Sequence, residues 1–265
     1  MTQRGACLAT TLLLSVLTAA SPLSAQHVEY APGTTKYRVT TNTKGTQTSP
    51  MGSAAFDVGI SELITVNLMR HAKDTVMAVL TLDSLTLRSA GPAPDLSKLV
   101  GGKFTSMVSP TGKLYTTSGP TGIDPQLVTL ADAVGKFLPS YRADLAQGTT
   151  WTDSTTDTTP FQNIQVDRTS ISQFTVGGDT TIGGVKALRI RRTTSTTGAG
   201  LGSMQGTPVS LESSSKSAGS FFLTTQGVYY GGNHSDDVKL KLTILAQKME
   251  INIAQTSATT IEMIK

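Results

Sequence analysis

FDVGISELITVNLM, residues 56–69, places Phe56, Val58, Ile60, Ile64, Val66 and Leu68 on one parity and Asp57, Gly59, Ser61, Thr65 and Asn67 on the other. Side chains alternate across a strand, so this is a long half-buried antiparallel strand with one wet face and one dry face. Glu62 breaks the pattern because it shares the apolar parity. A charge left unpaired in an apolar face costs several kcal/mol, so it must be paired, protonated or open to a cavity. Two readings stay open. Either a twist or bulge turns Glu62 outward, or it is a polar anchor inside a ligand cleft.

Working outward, His71-Ala72-Lys73-Asp74 reads as a polar turn, and Val76, Ala78, Leu80 and Leu82 as the inward face of the next strand. The phase then moves to Leu85 and Leu87, which makes Asp83-Ser84 a bulge. Residues 91–98 form a loop. Lys103 to Val108, the turn Ser109-Pro110-Thr111-Gly112 and Lys113 to Thr117 make a hairpin. One helix is predicted over 124–138. Asp124 caps it, Pro125 opens it, and Leu127, Leu130, Ala131, Val134, Phe137 and Leu138 recur at helical spacing before Pro139. After a Thr/Asp-rich stretch at 147–160, alternation resumes. Ser172 to Val176 ends on the hairpin signal Gly177-Gly178-Asp179. Further strands are predicted near 185–193, 207–214, 218–225, 237–246, 249–256 and 259–264, with a flexible loop at 198–206. Met107 to Tyr115 and Phe222 to Tyr229 echo one another as apolar strand, glycine turn and aliphatic-Tyr. The chain is therefore either one continuous β-rich domain over 26–265 or two β-meander halves, about 26–120 and 150–265, joined by the helix.

Residues 1–25 read as an export leader. Arg4 precedes an uncharged apolar run from Leu8 to Ala20, Pro22 breaks it, and Leu23-Ser24-Ala25 offers a cleavage site before Gln26. The chain's one cysteine, Cys7, precedes the apolar run, which is the wrong side for lipidation. The expectation is a periplasmic or secreted, unlipidated product without thiols or disulfides. No later segment is long and apolar enough to span a membrane as a helix. With 22 Lys+Arg against 18 Asp+Glu, the chain carries no nucleic-acid footprint.

The short elements Leu99-Val100-Gly101-Gly102-Lys103-Phe104 and Ser109-Pro110-Thr111-Gly112-Lys113-Leu114 resemble a family of exported bacterial β-rich proteins of unknown function. Leu138-Pro139 with Gly148-Thr149-Thr150-Trp151 and the strand Tyr37-Arg38-Val39-Thr40 fit its other elements. The resemblance runs through most of residues 26–265. It implies an exported β-rich fold and no catalytic residues. The overall plan is similar to the curved half-barrels of periplasmic lipoprotein carriers, where a helix plugs a greasy concave sheet, and this likeness is architectural only.

No catalytic constellation is present in the sequence. His27, His71 and His234 lack metal-ligand spacing and read as polar loop residues. Gly200-Leu201-Gly202-Ser203-Met204-Gln205-Gly206 is not a nucleophile elbow. There is no phosphate loop, and Asp153 and Asp157 read as solvated turn residues rather than a calcium loop. No cofactor or metal is expected. Arg189, Arg191 and Arg192 form the densest basic spot; Arg189 and Arg191 share a strand face opposite Leu188 and Ile190, either as a solvated face or as a contact for an anionic group such as a lipid phosphate.

The predicted fold is all-β and mainly antiparallel: a long curved sheet or half-barrel covered by one amphipathic helix near 124–138. The predicted role is non-enzymatic binding of an apolar ligand or hydrophobic segment in the cell envelope. Phe56, Ile60, Glu62, Ile64 and Val66 would face the ligand from the sheet, and Leu130, Val134 and Phe137 from the helix. Val58 and Leu68 share the same sheet face. The alternative is an interaction protein that docks an envelope partner by strand addition.

Overall fold

The structure, a computed structural model, describes residues 25–89, 95–123, 127–161, 164–204 and 206–264. The leader up to Ser24 and the helix-opening pair Asp124-Pro125 lie outside the described residues. The elements of the first half are β1 (Gln26–His27), β2 (Gly33–Ser49), β3 (Gly52–Ala72), β4 (Thr75–Arg88), β5 (Lys103–Val108) and β6 (Leu114–Ser118). Helix α1 (Val128–Gly135) follows. Then come β7 (Asp144–Leu145), β8 (Thr150–Phe161), β9 (Ile164–Ile182), β10 (Val185–Met204), β11 (Thr207–Thr224), β12 (Tyr229–Ile244) and β13 (Met249–Ile264).

Eleven strands form one antiparallel sheet in the order β6-β5-β4-β3-β2-β13-β12-β11-β10-β9-β8. Each half is a meander, and the first long strand zips to the last through pairs from Lys36↔Ile264 to Thr48↔Asn252. The two edges, β6 and β8, do not pair with each other, so the sheet is curved but unclosed. Helix α1 sits at the seam. Ser106 Oγ on β5 donates to the Gly135 carbonyl at 2.6 Å, and Lys136 Nζ reaches Asp157 on β8 at 3.3 Å. The result is a half-barrel with a helix plugging its opening.

The face the sequence marks as dry is the concave face. Ile64, Val66, Leu80, Leu82, Phe104, Val176, Ile190, Phe221 and Leu223 are buried with Val134 of the helix in one core. On the convex face, Arg38, Asn42, Lys44, Lys216, Asp237, Lys239 and Glu262 are exposed. Among the described residues no helix is long and apolar enough to cross a membrane.

Asp83 is indeed a bulge. Leu63 pairs with Ser84 and Ile64 with Leu82, so one residue of β4 is left over, and the inward phase passes to Leu85. The helix is shorter than its apolar spacing predicts. It ends at Gly135, because Pro139 disfavours helical geometry at the residue before it and supplies no N–H.

Several assignments of turns, loops and strand breaks are corrected by the structure. The stretch 198–206 is not a flexible loop, since β10 runs to Met204. Gly198 and Gly200 face inward, where a Cβ would overlap Ser213 Oγ or the Gln165 carbonyl of neighbouring strands. They allow close strand approach rather than flexibility. The Thr/Asp-rich stretch 147–160 contains edge strand β8. Gly177-Gly178 is a bulge opposite Arg189, and β9 turns only at Gly183-Gly184. The strands predicted at 207–214 and 218–225 are one strand, as are those at 249–256 and 259–264.

The turn glycines of the two echoed hairpins serve one purpose. The N-terminal segment Val28–Ala31 passes between them. Tyr30 N donates to the Pro110 carbonyl at 2.7 Å and Ala31 N to the Gly227 carbonyl at 3.1 Å. Gly112 and Gly227 both have positive φ, +83° and +81°.

Candidate functional site

Strand register resolves the concave face into rows that cross the sheet. One row is Val176, Ile190, Phe221, Gly232, Ile261, Val39, Glu62 and Leu85. The next, further from the core, is Trp151, Phe174, Arg192, Gly219, His234, Thr259, Thr41 and Ile60. Beyond it lie Asp153, Ser172, Thr194, Ser217, Asp236, Ser257, Thr43 and Val58. The concave surface thus changes from apolar to hydroxyl-lined over three rows. The hydroxyls pair across strands: Thr41 with Thr259 at 3.0 Å, Thr43 with Ser257 at 2.8 Å, and Ser172 with Thr194 at 2.8 Å.

A partly open cavity of about 600 Å³ lies between these rows and α1. Its wall takes Val39, Ile60 and Ile64 from the sheet and Leu130 and Val134 from the helix, with Phe137 just beyond it. Phe137 also packs on Tyr37 and Tyr229, with ring centroids 5.1 and 5.8 Å away. The Tyr37 hydroxyl donates to the Tyr229 carbonyl at 2.8 Å, which locks this aromatic roof. A bulge at Tyr230, followed by Gly231 at φ +101°, turns Tyr229 inward.

Glu62 also lines the cavity. Its side chain faces inward and is 6% exposed, so the bulge beside it, at Asp83, does not turn it out. Its Oε1 has no hydrogen-bond partner. Burial pushes its pKa up to about 7. A carboxyl in this state donates or accepts according to what lies against it.

The structure brings Ile60, Glu62, Ile64, Leu130, Val134 and Phe137 to one cavity. It places two other predicted residues elsewhere on the same sheet face: Val66 in the core beside Leu80, and Phe56 further along, against Gly45. Arg189 and Arg191 lie exposed on the convex face, away from the cavity, and Arg189 Nε donates to Ser220 Oγ at 3.1 Å.

Sequence reasoning grouped Arg192 with Arg189 and Arg191 and read His234 as a loop residue, and so missed that both lie on the concave face. Arg192 shares the parity of Leu188 and Ile190, and that alternation was the signal for an inward cation. His234 sits mid-strand on β12, not in a loop, with its Nε2 3.5 Å from Asp236. Burial holds its pKa below the ordinary value despite Asp236, so the ring is neutral at neutral pH. Asp157 is likewise no turn residue. It faces inward and accepts from Arg168 at 2.8 Å and Lys136 at 3.3 Å. Burial alone would raise its pKa, but these partners outweigh burial and hold it below the ordinary carboxylate value. The described residues hold no group of three or more His, Cys, Asp or Glu arranged for a metal.

Among solved structures, the chain is similar to an outer membrane channel from Pseudomonas putida F1, at 7% identity over 89% of this chain and 97% of that one, with a TM-score of 0.22. It is also similar to a domain named for outer membrane lipoprotein sorting, from Vibrio parahaemolyticus, at 8% identity over 85% of each chain, with a TM-score of 0.18. No family model and no curated protein matches the chain.

Proposed function

We propose that this chain is a non-enzymatic carrier or receptor in the cell envelope, which takes the apolar part of a ligand, or a partner's hydrophobic segment, between α1 and the concave sheet. One observation carries the reading: a cavity of about 600 Å³ whose apolar walls come from two separate elements, with an unpartnered buried carboxyl among them. That volume falls within the roughly 300–1,000 Å³ of small-molecule sites, which are mostly apolar with a few convergent polar groups. The leader-like residues 1–25 support an extracytoplasmic setting.

The test is uptake of N-phenyl-1-naphthylamine, an apolar dye that brightens when buried, by the parent protein and by Ile60→Trp. Ile60 lines the cavity, so the larger ring fills space the ligand needs. Binding is expected to weaken by roughly tenfold or more, about 1.4 kcal/mol per tenfold. Ile171→Trp, at a convex-face position that is 49% exposed, should bind as the parent does. Equal uptake by all three proteins would remove the cavity from consideration.

A further inference from the structure

Arg192 is the residue whose placement asks most of a ligand. It projects from β10 onto the concave face, in the row between the apolar core and the hydroxyl-lined rows. It lines the same cavity as Glu62 and Val134. It is half-buried, yet among the described residues it donates no hydrogen bond and forms no ion pair. Asp236, which favours its charge from a distance, is already beside His234. The cross-strand neighbour between Arg192 and His234 is Gly219, which has no side chain of its own, and His234 Cβ lies where a Gly219 Cβ would sit. A planar cation with five donors in a fork, held partly out of water without an acceptor, matches a carboxylate or phosphate.

We infer that the occupant of the cavity is an acidic amphiphile, its carboxylate or phosphate held by Arg192 and its hydrocarbon part lying against Ile64, Val134 and Phe221. The inference rests on the proposed cavity function and adds the chemistry and direction of the ligand. The apolar end points toward the helix and core. The charged end sits at the boundary row, where Thr41, Thr259 and the rows beyond supply hydroxyls to any further polar groups on the head.

Equilibrium dialysis of the protein against four sixteen-carbon probes, below their micelle concentrations, tests this: hexadecanoate, hexadecyl phosphate, hexadecanol and hexadecyltrimethylammonium. At least one anion is expected to bind roughly tenfold or more tightly than the alcohol, as a charge-assisted bidentate contact predicts. Whichever anion is preferred distinguishes a carboxylate source from a phosphate source. Arg192→Gln should bring the anions to the affinity of the alcohol and leave the alcohol unchanged. Arg192→Lys, which keeps the charge but loses the fork, should retain part of the preference and guards against a folding failure in the first variant. Arg191→Gln, on the convex face, should change nothing. The melting temperature of ligand-free Arg192→Gln should not fall, whereas a structural role would lower it. Equal binding of anions and alcohol by the parent overturns the acidic head and leaves the cavity reading intact. Tightest binding of the cation overturns it in favour of Glu62 as the head contact. Binding of none of the four overturns both readings.

Discussion

At about pH 8 the Glu62→Gln protein should melt roughly 5–10 °C above the parent, and at about pH 4 the two should coincide. Glu62 lies between Val39 and Leu85 in a row of apolar side chains, 6% exposed and with one oxygen unpartnered. Burial raises its pKa from the ordinary 4.5 to about 7. The folded state therefore prefers the protonated form. Below 4.5 both states hold the proton and the contribution to stability is complete. Between 4.5 and 7 the unfolded chain ionises while the fold keeps its proton, and stability falls. Above 7 the folded carboxyl ionises too and the loss is complete, at ~3 kcal/mol. Glutamine keeps the shape and removes the charge, so its melting curve should be flatter with pH across this window. A variant whose melting temperature tracks the parent's at both pH values would show that Glu62 is solvated or paired.

Gly227→Ala should be the most damaging single methyl added at any glycine of the described residues. Gly227 has φ +81°, which alone costs a residue with a Cβ about 1 kcal/mol. In addition, the new Cβ would overlap the Glu29 carbonyl oxygen. That carbonyl belongs to the segment held by the Ala31 N–H to Gly227 carbonyl bond and by the buried Val28 and Tyr30. It has nowhere to move, so the total should reach ~3 kcal/mol or more. Gly184→Ala is the control. Its φ is +82°, but nothing lies within 4 Å of the added methyl. Its cost should stay near the conformational ~1 kcal/mol. Denaturant titrations of both variants give the difference directly. Equal costs would mean that the N-terminal segment is not seated between the two turns.

Much of this fold was legible in side-chain parity. The 56–69 alternation named the dry face, and the phase change at Asp83-Ser84 announced the bulge that the pairing of Leu63 and Ile64 contains. Glycine- and threonine-rich segments were less legible. Gly198 and Gly200 resemble a loop because composition does not distinguish a glycine that bends freely from one that admits a neighbouring strand. Asp157 and His234 resemble turn residues because a polar residue facing the middle of a curved sheet is rare in an ordinary core. This sheet, however, carries a hydroxyl-lined zone on its concave side. The site was half legible for the same reason. Its apolar members follow from alternation, whereas Arg192 follows only once Leu188 and Ile190 are known to point inward and Arg189 outward.

The pairing of β2 with β13 has a kinetic meaning. Lys36 meets Ile264 at the centre of the sheet, so each half is an open meander until the final strand arrives. Joining partners so far apart in the chain carries a large loop-closure cost before any contact rewards it, and folding that depends on such contacts is slow. The central pairing of β2 with β13 is therefore expected to be the slow step that joins the two meanders into one ladder.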